Sequence, residues 1–143
     1  MHIRQRMHTA EHLLTAVMRI YYHAPRNEEL HLGNKKTKCD YSPQKPLNDN
    51  DITVIERLVN KEIQKDHAVS AFTIQRGEAG DYDLWKVPED AEDICIYQIG
   101  ELDAQPCAGP HVSHTKQVGA FKIISHEFKD DGKIRIRFRV EEK

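Results

Sequence analysis

The sequence predicts an α+β domain in which two main helices accompany a mostly antiparallel sheet. Two segments carry apolar residues at the three-and-four spacing of an amphipathic helix, and several shorter segments have the composition or alternation of strands. These segments follow one another in the order helix, strands, helix, strands. The 143 residues suffice for one core, and no boundary is visible within them, so we expect a single domain over residues 1–143.

The first helix is predicted over Met7–Tyr22 and is ended by Pro25 and Asn27. Its apolar residues recur at helical spacing: Leu13, Leu14, Val17, Met18 and Tyr21. The second helix is predicted to begin after a cap at Asn48 or Asn50. Its buried stripe comprises Ile52, Ile55, Leu58, Val59 and Ile63.

The remaining segments indicate strands and turns. We expect two short strands within Leu30–Tyr41 around the Gly33-Asn34 turn, strands over Val69–Arg76 and Ile94–Ile99, and a final hairpin of Ala120–Glu127 and Lys133–Val140. Gly77–Asp83 is predicted to be a turn or short helix, and Gly100–Ser113 a loop.

Composition favours a soluble, cytoplasmic protein without membrane association. No run approaches the roughly 18 consecutive apolar residues of a membrane span, and the first helix begins too early for a signal peptide to precede it. A net charge of −2 offers no global attraction to nucleic acid, so such a partner would need a local basic patch. The odd number of cysteines, three, argues against a disulfide framework. Cys39 and Cys95 lie in strand patterns and are interpreted as small buried residues.

Two residue pairs indicate a zinc site. His8 and His12 are four residues apart and therefore adjacent on one helix face. Cys107 and His111 have the same spacing on a loop whose glycine and proline allow the backbone to fold back. Thiolate and imidazole are ligands that Zn2+ prefers. Four protein ligands would make a structural site, whereas three plus a zinc-bound water would make a catalytic one, and the spacing leaves both open.

The residues around these pairs resemble a known family. The matching segments are His8-Thr-Ala-Glu-His-Leu-Leu14, Pro106-Cys-Ala-Gly-Pro-His-Val112, Thr115, Gly119, Phe121–Ile123, Tyr82–Trp85, Val87–Asp90 and Ile55–Asn60. They are similar to the editing domain of alanyl-tRNA synthetase, and more so to its free-standing relatives, the alanyl-tRNA editing proteins of the AlaX group. The resemblance spans nearly the whole chain and is closest to the short members of that group.

This resemblance implies a fold of the synthetase editing-domain (second additional domain) type and a trans-acting, zinc-dependent aminoacyl-tRNA hydrolase. Its substrate would be the ester of seryl- or glycyl-tRNA(Ala), its partner the tRNA acceptor end, and its ligands His8, His12, Cys107 and His111. The alternatives are editing of seryl-tRNA(Thr), a non-catalytic zinc-containing tRNA-binding module, and a small-molecule zinc lyase or hydrolase. The oligomeric state stays open.

Several substrate-binding residues follow from the same resemblance. Ala108 and Pro110 differ from the family's usual glycine and threonine, so the identity of the amino acid is less constrained than the metal. Gly33 adjoins the implied amino-acid pocket. A hydroxyl contact that distinguishes serine from alanine could come from a threonine, with Thr9, Thr37 and Thr115 as the candidates. The alternative, equally well supported for each threonine, is a role as a helix-capping or turn residue.

Glu11 has two interpretations. In the order His-x-x-Glu-His it matches the inverted zinc-peptidase motif, in which the glutamate is the general base. The similar motif of S-ribosylhomocysteine lyases is a second competitor. The Cys107–His111 pair and the similarity along the chain argue against both enzymes. We expect Glu11 to face solvent, with a catalytic role as the alternative.

The last strand offers a basic surface for tRNA. Arg135, Arg137 and Arg139 alternate with the apolar residues and therefore share one face. Together with Lys35, Lys36 and Lys38, they could bind acceptor-stem phosphates. The alternative, nearly as well supported, is an ordinary solvated sheet edge whose arginines pair with local carboxylates.

Overall fold

The computed structural model describes residues 2–141. Its helices are α1 (Ile3–Tyr22) and α2 (Asp49–Gln64). Its strands are β1 (Asn27–His31), β2 (Thr37–Tyr41), β3 (Val69–Gln75), β4 (Asp93–Ile99), β5 (Asp103–Pro106), β6 (Phe121–Phe128) and β7 (Ile134–Val140). Short 3-10 turns lie at Arg76–Glu78 and Thr115–Val118. Within residues 2–141 no helix is both long and apolar enough to cross a membrane.

The strands form two antiparallel sheets, and the α+β class is confirmed. The larger sheet has the order β1-β2-β7-β6 and the smaller the order β3-β4-β5. Both helices contribute apolar side chains to a core that the larger sheet shares, while Ala79, Ile94 and Ile96 form a small separate core at the other sheet. The strand β7 lies between β2 and β6, so the alternative interpretation that places its arginines on a sheet edge is wrong in that respect.

The first helix begins earlier than predicted, at Ile3 rather than Met7. His2 caps it, because its Nδ1 accepts from the Arg4 N–H and its own N–H donates to the Gln5 side chain. Histidine is not among the common helix-capping residues, so residue type alone did not indicate this start. The extra turn lengthens the helix on the N-terminal side of His8.

The second helix begins where predicted, after Asn48. The Asn48 Oδ1 accepts from the Asp51 N–H at 3.1 Å, and the Asp51 carboxylate accepts from the Asn48 N–H at 2.9 Å. This reciprocal capping box satisfies two backbone donors at the helix start.

The segment predicted as a loop over Gly100–Ser113 contains the strand β5. Its residues pair with β4, from Asp103 opposite Ile99 to Pro106 opposite Ile96. The four residues include no β-branched or aromatic side chain, the types that favour strands. Their strand conformation therefore depends on pairing with the neighbouring strand rather than on local propensity. The remaining loop begins at Cys107, whose N–H donates to the Cys95 carbonyl at 3.0 Å.

Candidate metal centre

The four residues proposed as ligands meet at one place. His8 and His12 come from one face of α1, and Cys107 and His111 from the loop after β5. Each offers a ligand atom, and these atoms all lie within 4.8 Å of one another. The group could therefore hold a metal ion.

The distances within the group fit zinc. The Cys107 Sγ lies 3.2 Å from the His8 Nε2 and 3.4 Å from the His111 Nε2. Zinc–sulfur bonds of about 2.3 Å and zinc–nitrogen bonds of about 2.0 Å imply ligand–ligand separations of about 3.5 Å around a tetrahedral ion. Nitrogen and sulfur donors in this number suit zinc better than calcium or magnesium.

Two further contacts orient the imidazoles. The His8 Nδ1 lies 3.2 Å from the Pro110 carbonyl, which can only accept, so Nδ1 carries the proton and Nε2 stays free for a metal. The Thr9 Oγ1 lies 2.9 Å from the His111 Nδ1 and also accepts from the Val112 N–H at 3.1 Å. Metal-bound histidines commonly have such partners on their second nitrogen.

Burial keeps the imidazoles neutral. It lowers the pKa of His12 to about 3 and that of His111 to about 2, and it lowers the pKa of His8 as well. A neutral imidazole is the form that binds a metal. Burial also raises the pKa of the Cys107 thiol to about 11. A bound cation would favour the thiolate and offset the cost of ionising a buried thiol.

A cavity of about 440 Å³ opens onto the group. His8, His12 and Cys107 line it, as do residues of β1, β4 and β5 and of the 83–91 segment. This volume lies within the roughly 300–1,000 Å³ typical of small-molecule sites. The cavity therefore gives a ligand access to three of the four grouped side chains.

The expectation that Glu11 faces solvent is wrong. Its side chain lines the cavity wall but is only 5% exposed. Its Oε2 accepts from the Thr15 hydroxyl at 2.8 Å and from the Asn27 Nδ2 at 3.2 Å, while its Oε1 lies 3.9 Å from the His12 Nε2. Burial raises the pKa of Glu11. The cause is tertiary: the start of β1 packs beside this turn of α1, which helical periodicity could not indicate.

The proposed substrate-binding residues lie in different places. Gly33 lines a small pocket of about 50 Å³ together with His8 and Pro110. Thr9 is fully buried and engaged with His111, as described above. Thr115 is also fully buried, and its Oγ1 accepts from the His67 N–H at 2.9 Å and contacts the last carbonyls of α2. Thr37 is buried against the Met7 sulfur. The threonine hydroxyls thus already have partners within the fold.

The three arginines of β7 share the outer face of the larger sheet and pair with carboxylates. Arg135 makes a bidentate pair with Asp40, at 2.8 and 2.9 Å. Arg137 lies 2.8 Å from Glu127, and Arg139 lies 3.5 Å from Glu141. Their charges are therefore offset locally, although Arg139 keeps about half of its side chain exposed.

One group of cavity residues was not predicted from the sequence as functional. Trp85 lies there with Arg26 and Lys86 about its ring, and the Lys86 Nζ donates to the Asn27 Oδ1 at 2.6 Å. These residues come from two segments that no spacing rule connects. The only signal was that Tyr82–Trp85 matched the family pattern.

Comparison with known proteins agrees with this architecture. Residues 94–137 match the family model described as the threonyl and alanyl tRNA synthetase second additional domain. The chain is 31% identical over 141 residues to the alanine–tRNA ligase of Ignicoccus hospitalis, covering 93% of the chain and 15% of the ligase. It is 30% identical over 135 residues to that of Petrotoga mobilis, covering 92% and 15%.

The chain thus spans about 15% of the length of the curated relatives that it matches. The matched segment contains β4 to most of β7, including the Cys107–His111 loop, and the ligase alignments extend the similarity over nine-tenths of the chain. The chain therefore contains a domain of the threonyl and alanyl tRNA synthetase second additional domain type.

Proposed function

We propose that this chain hydrolyses the ester of mischarged seryl- or glycyl-tRNA(Ala), with zinc held by His8, His12, Cys107 and His111. The observation that carries the proposal is the convergence of these four side chains beside a cavity, in a domain of the synthetase editing family. When bound there, zinc would supply a Lewis acid that polarises the ester carbonyl and acidifies an attacking water.

The protein's own residues prepare the site for this chemistry. The Pro110 carbonyl fixes the tautomer of His8, and Thr9 fixes the ring of His111. Both imidazoles therefore present Nε2 to the ligand group without reorganisation. Such preorganisation contributes to catalysis because the donors need not move during the reaction.

Glu11 is our candidate general base. Thr15 and Asn27 both donate to Oε2, which leaves Oε1 free to take a proton from an attacking water. Burial raises its pKa, which makes the carboxylate a stronger base than an exposed glutamate. Its position in the cavity wall, beside His12, supports this role.

Two surfaces would receive the rest of the substrate. Gly33 is our candidate for the amino-acid pocket because its small pocket adjoins His8. Arg135, Arg137 and Arg139 are our candidates for acceptor-stem phosphates, although each one has a carboxylate partner. Because each arginine is paired with a carboxylate, we expect each to contribute modestly to tRNA affinity.

The test is hydrolysis of defined substrates by zinc-loaded protein. Seryl- and glycyl-tRNA(Ala) should lose their amino acid, while alanyl-tRNA(Ala) should persist, with discrimination of up to about 10⁴-fold if the serine hydroxyl is recognised by hydrogen bonding. Preferential loss of seryl-tRNA(Thr) would support the threonyl alternative instead. Intact seryl and glycyl esters after incubation with zinc-loaded, folded protein would refute the proposal.

A further inference from the structure

Trp85 is placed unusually for a tryptophan. It is the only tryptophan in the chain, and 46% of its surface is exposed where it lines the cavity that also exposes His8 and Cys107. Tryptophan is usually well buried, because its large ring gains most from leaving water. A tryptophan ring that stays partly exposed within a cavity is instead a suitable surface for a planar ligand.

Two cations lie over this ring. The Arg26 guanidinium carbon lies 5.0 Å from the ring centroid and the Lys86 Nζ lies 5.2 Å from it, both within the range of a cation–π contact. We refer to Trp85, Arg26 and Lys86 as the Trp85 platform.

The platform is built into the fold. The Arg26 Nε lies 2.9 Å from the Asp83 carboxylate, and the Lys86 Nζ donates to the Asn27 side chain. Asn27 is buried and also donates to Glu11. Hydrogen bonds therefore run from the platform to the glutamate beside the metal centre, so the two ends of the cavity have a defined relative position.

Charge is unevenly distributed along the cavity. Arg26 and Lys86 bring positive charge to the tryptophan, and Asp83 offsets part of it at Arg26. The other carboxylates of the lining belong to Glu11, Asp93 and Asp103. A ligand that fits this pattern has an aromatic ring and an adjacent anion at one end and an ammonium group at the other. The 3′-terminal nucleotide of an aminoacyl-tRNA has this arrangement: a base, a 5′ phosphate and the α-ammonium of its ester.

We propose that the Trp85 platform binds the terminal nucleoside of the tRNA, with the base stacked on Trp85 and the phosphate 5′ to it beside Lys86 and Arg26. This proposal rests on the proposed function, since it places the ribose that carries the ester between the platform and the metal centre. The shared cavity of about 440 Å³ provides space for a nucleoside as well as an amino acid.

Tryptophan fluorescence gives a direct readout, because Trp85 is the only tryptophan. Titration with the trinucleotide CCA should quench the emission saturably. Adenosine 5′-monophosphate should quench the emission as well, because it carries the base and the 5′ phosphate that the platform is proposed to bind. Unchanged emission at saturating CCA would exclude contact of the base with Trp85 and overturn the proposal.

Variants provide an independent measurement by fluorescence anisotropy with a labelled acceptor-stem minihelix that ends in CCA. Trp85→Ala should weaken binding about 5- to 150-fold, the range measured for loss of one base–aromatic stack. Trp85→Phe should retain most of the affinity. Phe128→Ala is the matched control, since Phe128 is an aromatic residue of similar exposure, 47%, on the distant strand β6. Trp85→Ala binding within twofold of wild type would overturn the proposal.

The charge component is tested separately. Lys86→Met should reduce the slope of log K against log salt by about 0.7, the value for one single-strand phosphate contact. A slope equal to that of wild type would show that Lys86 contacts no phosphate and would overturn that part of the proposal.

Hydrolysis assays separate this proposal from the proposed function. If Trp85→Ala hydrolyses seryl-tRNA(Ala) with an unchanged KM, the platform is refuted and the editing activity stands. If wild-type protein binds CCA through Trp85 but hydrolyses no ester, the platform stands and the editing activity is refuted.

Discussion

The metal centre and the arginine face of β7 differ in how their charged or polar side chains are supported. At the metal centre the imidazoles are at least partly buried, and two of them have a partner on the second ring nitrogen. On the arginine face the guanidinium groups pair with nearby carboxylates along a more open surface. Both regions were proposed from residue spacing alone.

The difference lies in what remains unsatisfied. Arg135 and Arg137 already have counter-charges, so their local chemistry is complete without a ligand. The Nε2 atoms of His8 and His111 instead converge on the Cys107 sulfur, an arrangement that a cation would complete. Convergent donors without a counter-charge are therefore the stronger indication of a ligand site than charged residues on a common face.

The largest effect is expected at Cys107. Cys107→Ala should abolish stoichiometric zinc binding and reduce hydrolysis of seryl-tRNA(Ala) to background, because the variant removes the thiolate from the group. Inductively coupled plasma mass spectrometry and the deacylation assay measure the two effects. Cys95→Ala is the control, since Cys95 lines the same cavity outside the ligand group. Full zinc occupancy in Cys107→Ala would contradict the assignment.

Thr9→Val is expected to have the next largest effect. It preserves the side-chain shape but removes the hydroxyl beside the His111 Nδ1. Zinc affinity should fall about 10- to 100-fold, as is typical when a hydrogen-bond partner of a metal ligand is lost. Competition with a chromophoric chelator measures this, with Thr73→Val on the exposed side of β3 as control. Equal zinc affinities would show that Thr9 does not support the metal centre.

The arginine face predicts an effect on stability. Hydrogen bonding to Arg135 lowers the pKa of Asp40 in the folded protein. The pair therefore contributes its full stability at pH values above the pKa of an unfolded aspartate, about 3.9. This contribution is lost as the pH falls through the lower pKa of the folded state. Asp40→Asn should cost about 1–2 kcal/mol at pH 7.

Urea denaturation at several pH values tests this pair. The difference between wild type and Asp40→Asn should shrink below about pH 4, and exposed Asp90→Asn should show neither effect. A difference that stays constant down to pH 2 would contradict the linkage.

The smallest expected effect concerns tRNA binding by Arg137. Arg137→Ala should lower the salt slope of minihelix binding by less than about 0.9, because Glu127 already offsets part of the charge. Glu127→Gln should strengthen binding by freeing Arg137. Identical salt series for both variants and wild type would show that this face serves the fold alone.

The sequence predicted the parts of the molecule that depend on local periodicity. The Asn48 cap and the spacing within each ligand pair follow from patterns within single segments, and the α+β class follows from the order of those segments. The meeting of the two ligand pairs was inferred from their zinc-binding chemistry and from the family resemblance. The helix start at His2 and the strand β5 were missed, since one uses an uncommon cap and the other pairs without strand-forming residues.

The contents of the cavity could not be predicted in the same way. Glu11 is buried because β1 packs beside it, and Trp85 meets Arg26 from a distant segment. Such contacts depend on how segments are brought together, which periodicity within one segment does not encode.

A zinc titration of metal-free protein is the decisive measurement. The initial rate of seryl-tRNA(Ala) hydrolysis should rise in proportion to bound zinc and reach a plateau at one ion per chain, while circular dichroism shows a folded protein throughout. A rate that is absent at full occupancy, or equally high without zinc, would contradict an editing site built on His8, His12, Cys107 and His111.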